Sequence, residues 1–185
     1  MPRGLTPPEP ALTDEVIRLE PLLDERWVTE FERLAGDPEI MRFTRVPERR
    51  PDGFASTWVG RYVDGWRTAE RAGFAILSPE GGFLGMAAIV ELNLPGREGE
   101  IGYMTAPEAR GRGVAVRALR LVTGWALGDL GLLRVDLKID LTNEPSLRAA
   151  ESCGYVREGV LRSSHVKDDV RADVAIYSRL AGDPR

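Results

Sequence analysis

The pattern of apolar and polar residues predicts one domain that mixes strands and helices. Residues 113–129 place Val114, Ala118 and Val122 at helical spacing, and the apolar residues just before them, 99–105, fit a strand. The predicted strands cover residues 16–22, 73–77, 83–92, 99–105, 134–141, 155–165 and 170–180, and the predicted helices cover residues 24–36, 53–69, 113–129 and 144–153. Seven strands and four helices in this order predict an α/β fold in which helices flank one mixed sheet.

The amino-acid composition predicts where the domain begins and ends. Residues 1–13 are rich in proline and predict a flexible N-terminal tail, which leaves residues 14–182 as the single domain. Residues 37–52 hold three prolines and are predicted to be mostly loop, while Asp24 is predicted to cap the helix that ends near Gly36.

Composition and charge restrict the partners. The 185 residues are 43% hydrophobic, enough to bury the core of one domain, and the net charge of −4 argues against a nucleic-acid partner. No apolar run is long enough to span a membrane and no signal peptide is recognisable, so with a single cysteine, Cys153, we expect a cytoplasmic protein without a membrane partner. No spacing of His, Cys, Asp and Glu predicts a metal site.

The segment Arg110-Gly111-Arg112-Gly113-Val114-Ala115 is the strongest functional signal in the chain. It joins the strand at 99–105 to the helix at 113–129, so glycines and free N–H groups meet the positive end of a helix dipole. Residues 110–120 also carry four arginines and no acid, opposite in sign to the chain as a whole. This combination predicts a small ligand that carries phosphate.

Two other glycine-loop families are excluded by spacing. A nucleoside-triphosphate loop needs a lysine followed by Ser or Thr, and none follows Gly113. A dinucleotide loop needs a third small residue where this chain has Val116, and an acid about twenty residues on, where it has Gly131-Leu132-Leu133.

The pattern Arg110-x-x-Gly113-x-Ala115 resembles the acetyl-CoA pyrophosphate loop of the GNAT N-acetyltransferase superfamily. The resemblance extends over residues 15–180, through Asn143-Glu144-Pro145-Ser146, Glu151 to Tyr155, and the closing strands around Glu158 to Arg162 and Asp173 to Ser178. Glu100-Ile101-Gly102-Tyr103 together with Asn143-x-x-Ser146 is similar to the RimJ/RimL-like branch, which acetylates protein N-termini and assorted amines.

This resemblance implies a GNAT fold, with a sheet splayed at the acetyl-CoA site and acetyl-CoA as co-substrate without a metal. It also implies that the strand at 99–105 diverges from its neighbour after Thr105, with a family bulge at positions 103–105, so that unpaired backbone groups receive the pantetheine arm. The residues expected to contact the cofactor are Met104, Thr105, Arg110, Gly111, Arg112, Gly113, Val114, Ala115, Asn143 and Ser146. Arg117 is a further candidate for the phosphates.

Acetyl transfer to an amine proceeds by direct attack on the thioester, so no covalent nucleophile is required, and Cys153 is interpreted as a small apolar residue. By the resemblance, Ser146 hydrogen-bonds or protonates the sulfur, although Asn143-x-x-Ser146 could equally cap a helix. Glu100 is the candidate base or water-positioning residue, with a structural carboxylate as the alternative. The glutamate base and tyrosine acid of some relatives are replaced here by Lys138 and Ala150.

The function expected from the resemblance is acetyl transfer to a primary amine, preferably a protein N-terminal α-amine. The alternatives are an aminoglycoside or other small amine as acceptor, a bulkier donor such as succinyl-CoA, and a CoA-binding module without turnover. The single histidine, His165, is interpreted as a surface or packing residue, with substrate contact or proton transfer as the alternative. Trp58, Tyr62 and Trp66 are interpreted as a core face, although in the GNAT fold their helix borders the acceptor groove and one of them could line it. A homodimer is left open.

Overall fold

The structure, a computed structural model, describes residues 4–184, and within this range the chain forms seven strands and five α-helices. The strands are β1 (Arg18–Pro21), β2 (Ala72–Leu77), β3 (Phe83–Asn93), β4 (Glu98–Thr105), β5 (Arg134–Asp140), β6 (Val156–Lys167) and β7 (Val170–Leu180). The helices are α1 (Val28–Ala35), α2 (Pro38–Phe43), α3 (Phe54–Thr68), α4 (Val114–Leu127) and α5 (Glu144–Ser152), and a short 3₁₀ turn covers Pro107–Ala109.

The strands form one mixed sheet in the order β1-β2-β3-β4-β5-β7-β6. Only the β4–β5 pair is parallel, and the connection between these two strands runs through α4. The predicted α/β fold with a single mixed sheet is confirmed. No helix within residues 4–184 is long and apolar enough to cross a membrane.

The prediction that residues 37–52 are mostly loop missed a short helix, α2, which brings the predicted number of about four helices to five among residues 4–184. The side chain of Asp37 caps it by accepting hydrogen bonds from the backbone N–H groups of Glu39 and Ile40, and Pro38 occupies the first turn. A proline in the first turn loses no helical hydrogen bond, so Asp37-Pro38 starts a helix rather than breaking one.

The predicted start of the first helix was also too early. The α1 helix begins at Val28, because Asp24 turns its carboxylate onto the backbone and guanidinium of Arg26 instead of capping a helix. Residues 1–3 of the predicted tail lie outside the described residues. In the rest of that tail, Leu5 donates its backbone N–H to the carbonyl of Trp66, and the carbonyl of Leu12 accepts from Leu19. Flexibility of the tail stays a prediction.

Large aromatic side chains hold α3 and α4 against β2. Phe74 lies edge-on between Trp66 and Trp125, with ring centroids 5.4 Å from each. All three rings are nearly fully buried, and burial of each large apolar side chain stabilises the fold by roughly 1.5–3 kcal/mol. This cluster fixes the base of α4, whose opposite end carries the glycine loop.

Candidate functional site

The central feature of the sheet is a gap between β4 and β5. These strands pair only at Glu98↔Arg134, Gly99↔Val135 and Glu100↔Asp136, so β4 has no β5 partner from Ile101 to Thr105. The expectation that the strands diverge after Thr105 was wrong by five residues. The bulge expected at positions 103–105 was also misplaced, because the irregularity lies in β3, where the register shifts between Ile89 and Glu91. The gap therefore leaves a row of backbone groups on β4 free to bind a ligand.

A cavity of about 760 Å³ passes through this gap. Residues of both faces of β4 line it, because successive side chains of a strand alternate: Ile101 and Tyr103 on one face, Gly102 and Met104 on the other. One end of the cavity meets the glycine loop and α5. The cavity is also lined by residues of α2, α3, β3, β6 and β7, and by Arg71, which precedes β2.

The glycine loop presents backbone donors to the cavity. Gly111 and Gly113 adopt φ of +72° and +74°, a region that favours glycine, and a Cβ added at either would meet nothing within 4 Å. Gly113 is the N-cap of α4, so the N–H groups of Val114, Ala115 and Val116 have no acceptor within the helix. The open space and the free donors fit a pyrophosphate.

The arginines around this loop are less available than the sequence predicts. Arg110 lines the cavity, but its guanidinium pairs with Asp37 at 2.5 Å and with Glu39 at 2.8 Å, which joins the loop to α2. Arg117 pairs with Asp14 at 2.8 Å. Binding of phosphate at this loop therefore rests on the backbone. Arg112 and Arg120 are exposed and make no ion pair among residues 4–184, although Arg120 donates to the carbonyl of Ser152.

The Arg117–Asp14 pair and the Arg110–Asp37 pair each lower the pKa of the carboxyl group involved. In both cases burial opposes the shift and is the largest single influence, while the arginine and backbone N–H groups together outweigh it. Both acids are therefore ionised near neutrality and hold their arginines away from a ligand.

Asn143 and Ser146 lie where α5 meets the cavity. The side-chain oxygen of Asn143 caps α5 by accepting from the backbone N–H of Ser146 at 3.3 Å, so the capping alternative is present in the structure. The cap uses only the oxygen of the amide, and the NH₂ group of Asn143 remains a donor for a ligand. The assignment of Asn143 to the cofactor stays a prediction.

Tyr103 is a site residue that the sequence analysis named only as a strand position. Its hydroxyl donates a hydrogen bond to Ser146 Oγ at 3.2 Å. Burial raises the pKa of Tyr103, so the phenol stays protonated and remains a donor. The sequence could have indicated this, because Tyr103 is two residues from both Ile101 and Thr105 and therefore lies on the same face of β4.

Glu100 lies on the opposite face of β4, and Lys138 Nζ of β5 lies 2.6 Å from its Oε2. The Glu100 side chain is 14% exposed, and Oε1 has no hydrogen bond within residues 4–184. The chain thus places a lysine where some relatives have a base, and that lysine holds the remaining candidate base in an ion pair.

His165 is half-buried and lines the cavity, and its role there stays a prediction. The pairing of β6 with β7 shifts between Leu161 and His165, where Ser163 adopts a positive φ of 52°, and this bulge sets the position of the imidazole. Burial and the charge of Arg45 lower the pKa of His165, so the ring is neutral near neutrality.

The remaining predicted residues divide between the cavity and the core. Met104, Thr105, Val114 and Ala115 line the cavity, whereas Cys153 is buried and its pKa is raised by burial. A protonated, buried thiol is a poor nucleophile. Within residues 4–184 no three His, Cys, Asp or Glu side chains cluster as a metal site would require.

Comparison with known proteins gives a consistent family. Residues 17–156 match the family described as the acetyltransferase (GNAT) domain. The chain is 31% identical over 129 residues to the Bacillus subtilis protein named "Putative ribosomal N-acetyltransferase YdaF", an alignment that covers 68% of this chain and 70% of that protein. It is 28% identical over 93 residues to the spermidine N(1)-acetyltransferase of Vibrio cholerae, covering 50% of this chain and 53% of the relative.

Among solved structures, RimL, a ribosomal L7/L12 α-N-protein acetyltransferase in complex with coenzyme A, superposes with a TM-score of 0.83. The superposition covers 92% of this chain and 97% of RimL at 14% identity, so it bears on the fold alone.

Proposed function

The chain belongs to the GNAT acetyltransferase family and is an acetyl-CoA-dependent N-acetyltransferase, and we propose that its acceptor is a protein N-terminal α-amine, which attacks the thioester directly. The observation that carries this proposal is the single cavity through the sheet. It connects the glycine loop, which suits the pyrophosphate, to Glu100 on the opposite side of β4.

The gap between β4 and β5 supports the placement of acetyl-CoA. The backbone of β4 from Ile101 to Thr105 lacks a β5 partner, and a pantetheine arm carries amide groups that can pair with a strand. A cofactor bound in this way, with its phosphates at Gly113, places its thioester near Tyr103 and Ser146. The same unpaired N–H groups can stabilise the oxyanion that forms during attack.

The contact between Tyr103 and Ser146 supports the stabilisation of the leaving group. Ser146 Oγ accepts from Tyr103, which leaves its own proton free to point into the cavity. As the thioester breaks, Ser146 donates a hydrogen bond to the developing thiolate and keeps its proton, while the proton that the amine loses on attack is available to convert the thiolate to the thiol. Tyr103 acts as a positioning residue in this step, because its hydrogen bond orients the serine hydroxyl.

The state of Glu100 favours an acceptor of low basicity. The carboxylate that would take the amine's proton is already bound to Lys138. An α-amine has a pKa of about 8 and a lysine or polyamine nitrogen about 10.4, so the α-amine is neutral far more often near pH 7. Because Glu100 is held in an ion pair with Lys138, an α-amine is a better nucleophile here than the more basic nitrogen of a lysine or a polyamine. The ribosomal acetyltransferase relative agrees with this choice, while the spermidine relative keeps a small amine as the second candidate.

Acetylation assays with matched amines test the proposal. Release of free CoA is followed with a short peptide, the same peptide N-acetylated in advance, spermidine and an aminoglycoside, and each product is identified by mass spectrometry. We expect transfer to the free peptide and none to the blocked one. Faster turnover of spermidine or the aminoglycoside would assign a small-amine acceptor, and a preference for succinyl-CoA would assign another donor. CoA binding without turnover of any amine would identify a binding module. A homodimer stays a prediction.

A further inference from the structure

The cavity is lined by a tyrosine, Tyr62, whose hydroxyl nothing above uses. Tyr62 of α3 lines the cavity, is only 7% exposed, and has no hydrogen-bond partner for its hydroxyl among residues 4–184. Burial raises the pKa of Tyr62, so the hydroxyl is a donor. The Tyr62 hydroxyl is not among the fully buried, unpartnered side-chain atoms, so it is open to the cavity, where a ligand atom can accept a hydrogen bond from it.

Three arginines from separate parts of the chain line the same cavity as this hydroxyl. Arg71 comes just before β2, Arg61 lies one residue before Tyr62 in α3, and Arg45 follows α2; all three line the cavity. All three lie near enough for their charges to act on Tyr62, against the effect of burial. We call Arg45, Arg61, Arg71 and Tyr62 together the arginine corner.

The arginines of this corner are weakly engaged within the protein. Arg71 makes no ion pair within residues 4–184, and Arg61 lies 5.7 Å from the ring centre of Trp58. Arg45 lies 3.8 Å from Glu91, and both side chains are more than half exposed, so this pair is weak. Their guanidinium groups are available to a ligand.

Arg71 is held in place by a close backbone contact. A Cβ added to Gly65 would lie 2.6 Å from the Cβ of Arg71, so only glycine lets the chain after α3 approach the helix this closely. The carbonyl of Gly65 also accepts from the N–H of Glu70 at 3.2 Å. The turn that carries Arg71 is therefore fixed against α3, although the side chain itself is free.

The acids around the corner do not cancel its charge. Glu100 is neutralised by Lys138, and Asp64 pairs with Arg67 at 2.9 Å. Asp140 is bound by Thr142 and keeps its negative charge, which is one charge against those of the three arginines. Glu70, close to Arg71 outside the main cavity, is exposed. An excess of positive charge remains at the arginine corner in a chain whose net charge is −4.

We propose that Tyr62, Arg71, Arg61 and Arg45 form an anion subsite that binds a carboxylate or phosphate of the acceptor molecule. Guanidinium groups bind both anions through charge-assisted hydrogen bonds, and a buried phenol adds a directed donor. The acceptor is accordingly an amine with an anionic group close by, such as an acidic residue next to an N-terminus. A polyamine is disfavoured, because its second cation would face the arginines. This inference rests on the proposed acetyl transfer to an α-amine.

Four tripeptide amides of equal length test the subsite: Ala-Glu-Ala, Ala-Gln-Ala, Ala-phosphoSer-Ala and Ala-Ser-Ala. Their α-amines are closely similar, so differences in kcat/KM report recognition of the second residue. We expect the wild-type protein to prefer each acidic peptide over its neutral counterpart on the order of tenfold. The larger of the two ratios shows whether carboxylate or phosphate is the natural group. Arg71→Gln should bring both ratios close to one.

Arg67→Gln is the matched control, because Arg67 lies on α3 near Arg61 and Tyr62, pairs with Asp64 and does not line the cavity. It should keep the wild-type preference. A second measurement needs no turnover: inorganic phosphate is titrated into CoA-saturated protein and followed by NMR. Binding that weakens in Arg71→Gln and Tyr62→Phe, but not in Arg67→Gln, supports the subsite.

The two proposals fail in different ways. If the neutral peptides are acetylated but the acidic ones gain no advantage, the subsite is wrong and the acetyl transfer stands. If no peptide is acetylated, the proposed acceptor class is wrong. Phosphate binding that does not depend on Arg71 would overturn the subsite independently of activity.

Discussion

The hydroxyl of Tyr103 on β4 lies 3.2 Å from Ser146 Oγ at the start of α5, across the gap where β4 and β5 no longer pair. This contact joins the two elements that border the expected thioester position. It also gives the serine, which the sequence singled out, a partner that fixes the direction of its hydroxyl. The contact can be tested from both of its ends.

Ser146→Ala should lower kcat on the order of tenfold to a hundredfold, with a much smaller change in the KM for acetyl-CoA. A hydrogen bond given to a developing thiolate acts mainly in the transition state. Steady-state kinetics with acetyl-CoA as the varied substrate measures this split. Ser152→Ala is the control, because its hydroxyl only donates to the carbonyl of Arg148 on the same helix. A rise in KM with unchanged kcat would leave Ser146 as a capping or binding residue.

Tyr103→Phe should lower kcat by about tenfold or less and should have no further effect in the Ser146→Ala background. The phenol acts through the serine, so its loss is not additive with the loss of the serine. A double-mutant cycle on kcat gives the coupling directly. Additive losses would mean that Tyr103 acts on the substrate by a separate route.

Glu100→Gln should reduce kcat/KM most at pH values below the pKa of the acceptor amine. The loss should shrink as pH rises and the amine becomes neutral without assistance, because a base is then redundant. The ratio of mutant to wild-type kcat/KM across pH measures this. His165→Gln is the informative comparison, since the low pKa of His165 makes its neutral ring the other proton acceptor in the cavity. A pH-dependent loss in His165→Gln together with a flat ratio for Glu100→Gln would move the base to His165.

Gly113→Glu should abolish binding of CoA. The side chain would enter the open space in front of the α4 N-terminus and place a carboxylate where the pyrophosphate is expected. Calorimetry measures the affinity, which is expected to be micromolar, roughly −8 kcal/mol, for the unmodified protein. Gly113→Ala is the control, because it carries the same backbone strain at φ +74° without the charge. Equal affinity in a folded Gly113→Glu protein would contradict the loop assignment.

Glu158→Gln should lower the melting temperature by about 1–3 °C at pH 7, and the difference should vanish on acidification. The two terminal nitrogens of Arg134, Nη1 and Nη2, donate to Glu158 at 2.8 and 2.7 Å, and the hydroxyl of Ser178 donates to Glu158 at 2.6 Å. These contacts lower the pKa of Glu158 from 4.5 to about 2. A lowered pKa stabilises the fold fully above pH 4.5, and that stabilisation is lost as pH falls towards 2.

Melting curves across this pH range, for wild type and variant, provide the measurement. Glu144→Gln serves as the comparison, because its exposed pair with Arg148 spans one helical turn and should matter less. A difference in melting temperature that persists unchanged at pH 2 would show that the Arg134–Glu158 pair is not its source.

Local sequence determined the elements and the cofactor end of the site. Alternation and helical spacing located the seven strands and four of the five helices, because these patterns depend on which side of each element is buried. The glycines at 111 and 113 identified the anion loop, because their freedom of φ and the helix dipole act within a few residues. The fifth helix was also encoded locally, in Asp37-Pro38, but the prolines of residues 37–52 were interpreted as residues that prevent a helix.

The tertiary structure alone decided which side chains are free to act. The sequence shows four arginines near the loop, but only the fold reveals that Arg110 and Arg117 are bound by Asp37 and Asp14, residues far away along the chain. The pairing of Glu100 with Lys138, the Tyr103–Ser146 contact and the arginine corner around Tyr62 likewise join distant segments. Such contacts depend on strand register and on where β4 leaves β5, which are set by packing of the whole sheet rather than by any short stretch of sequence.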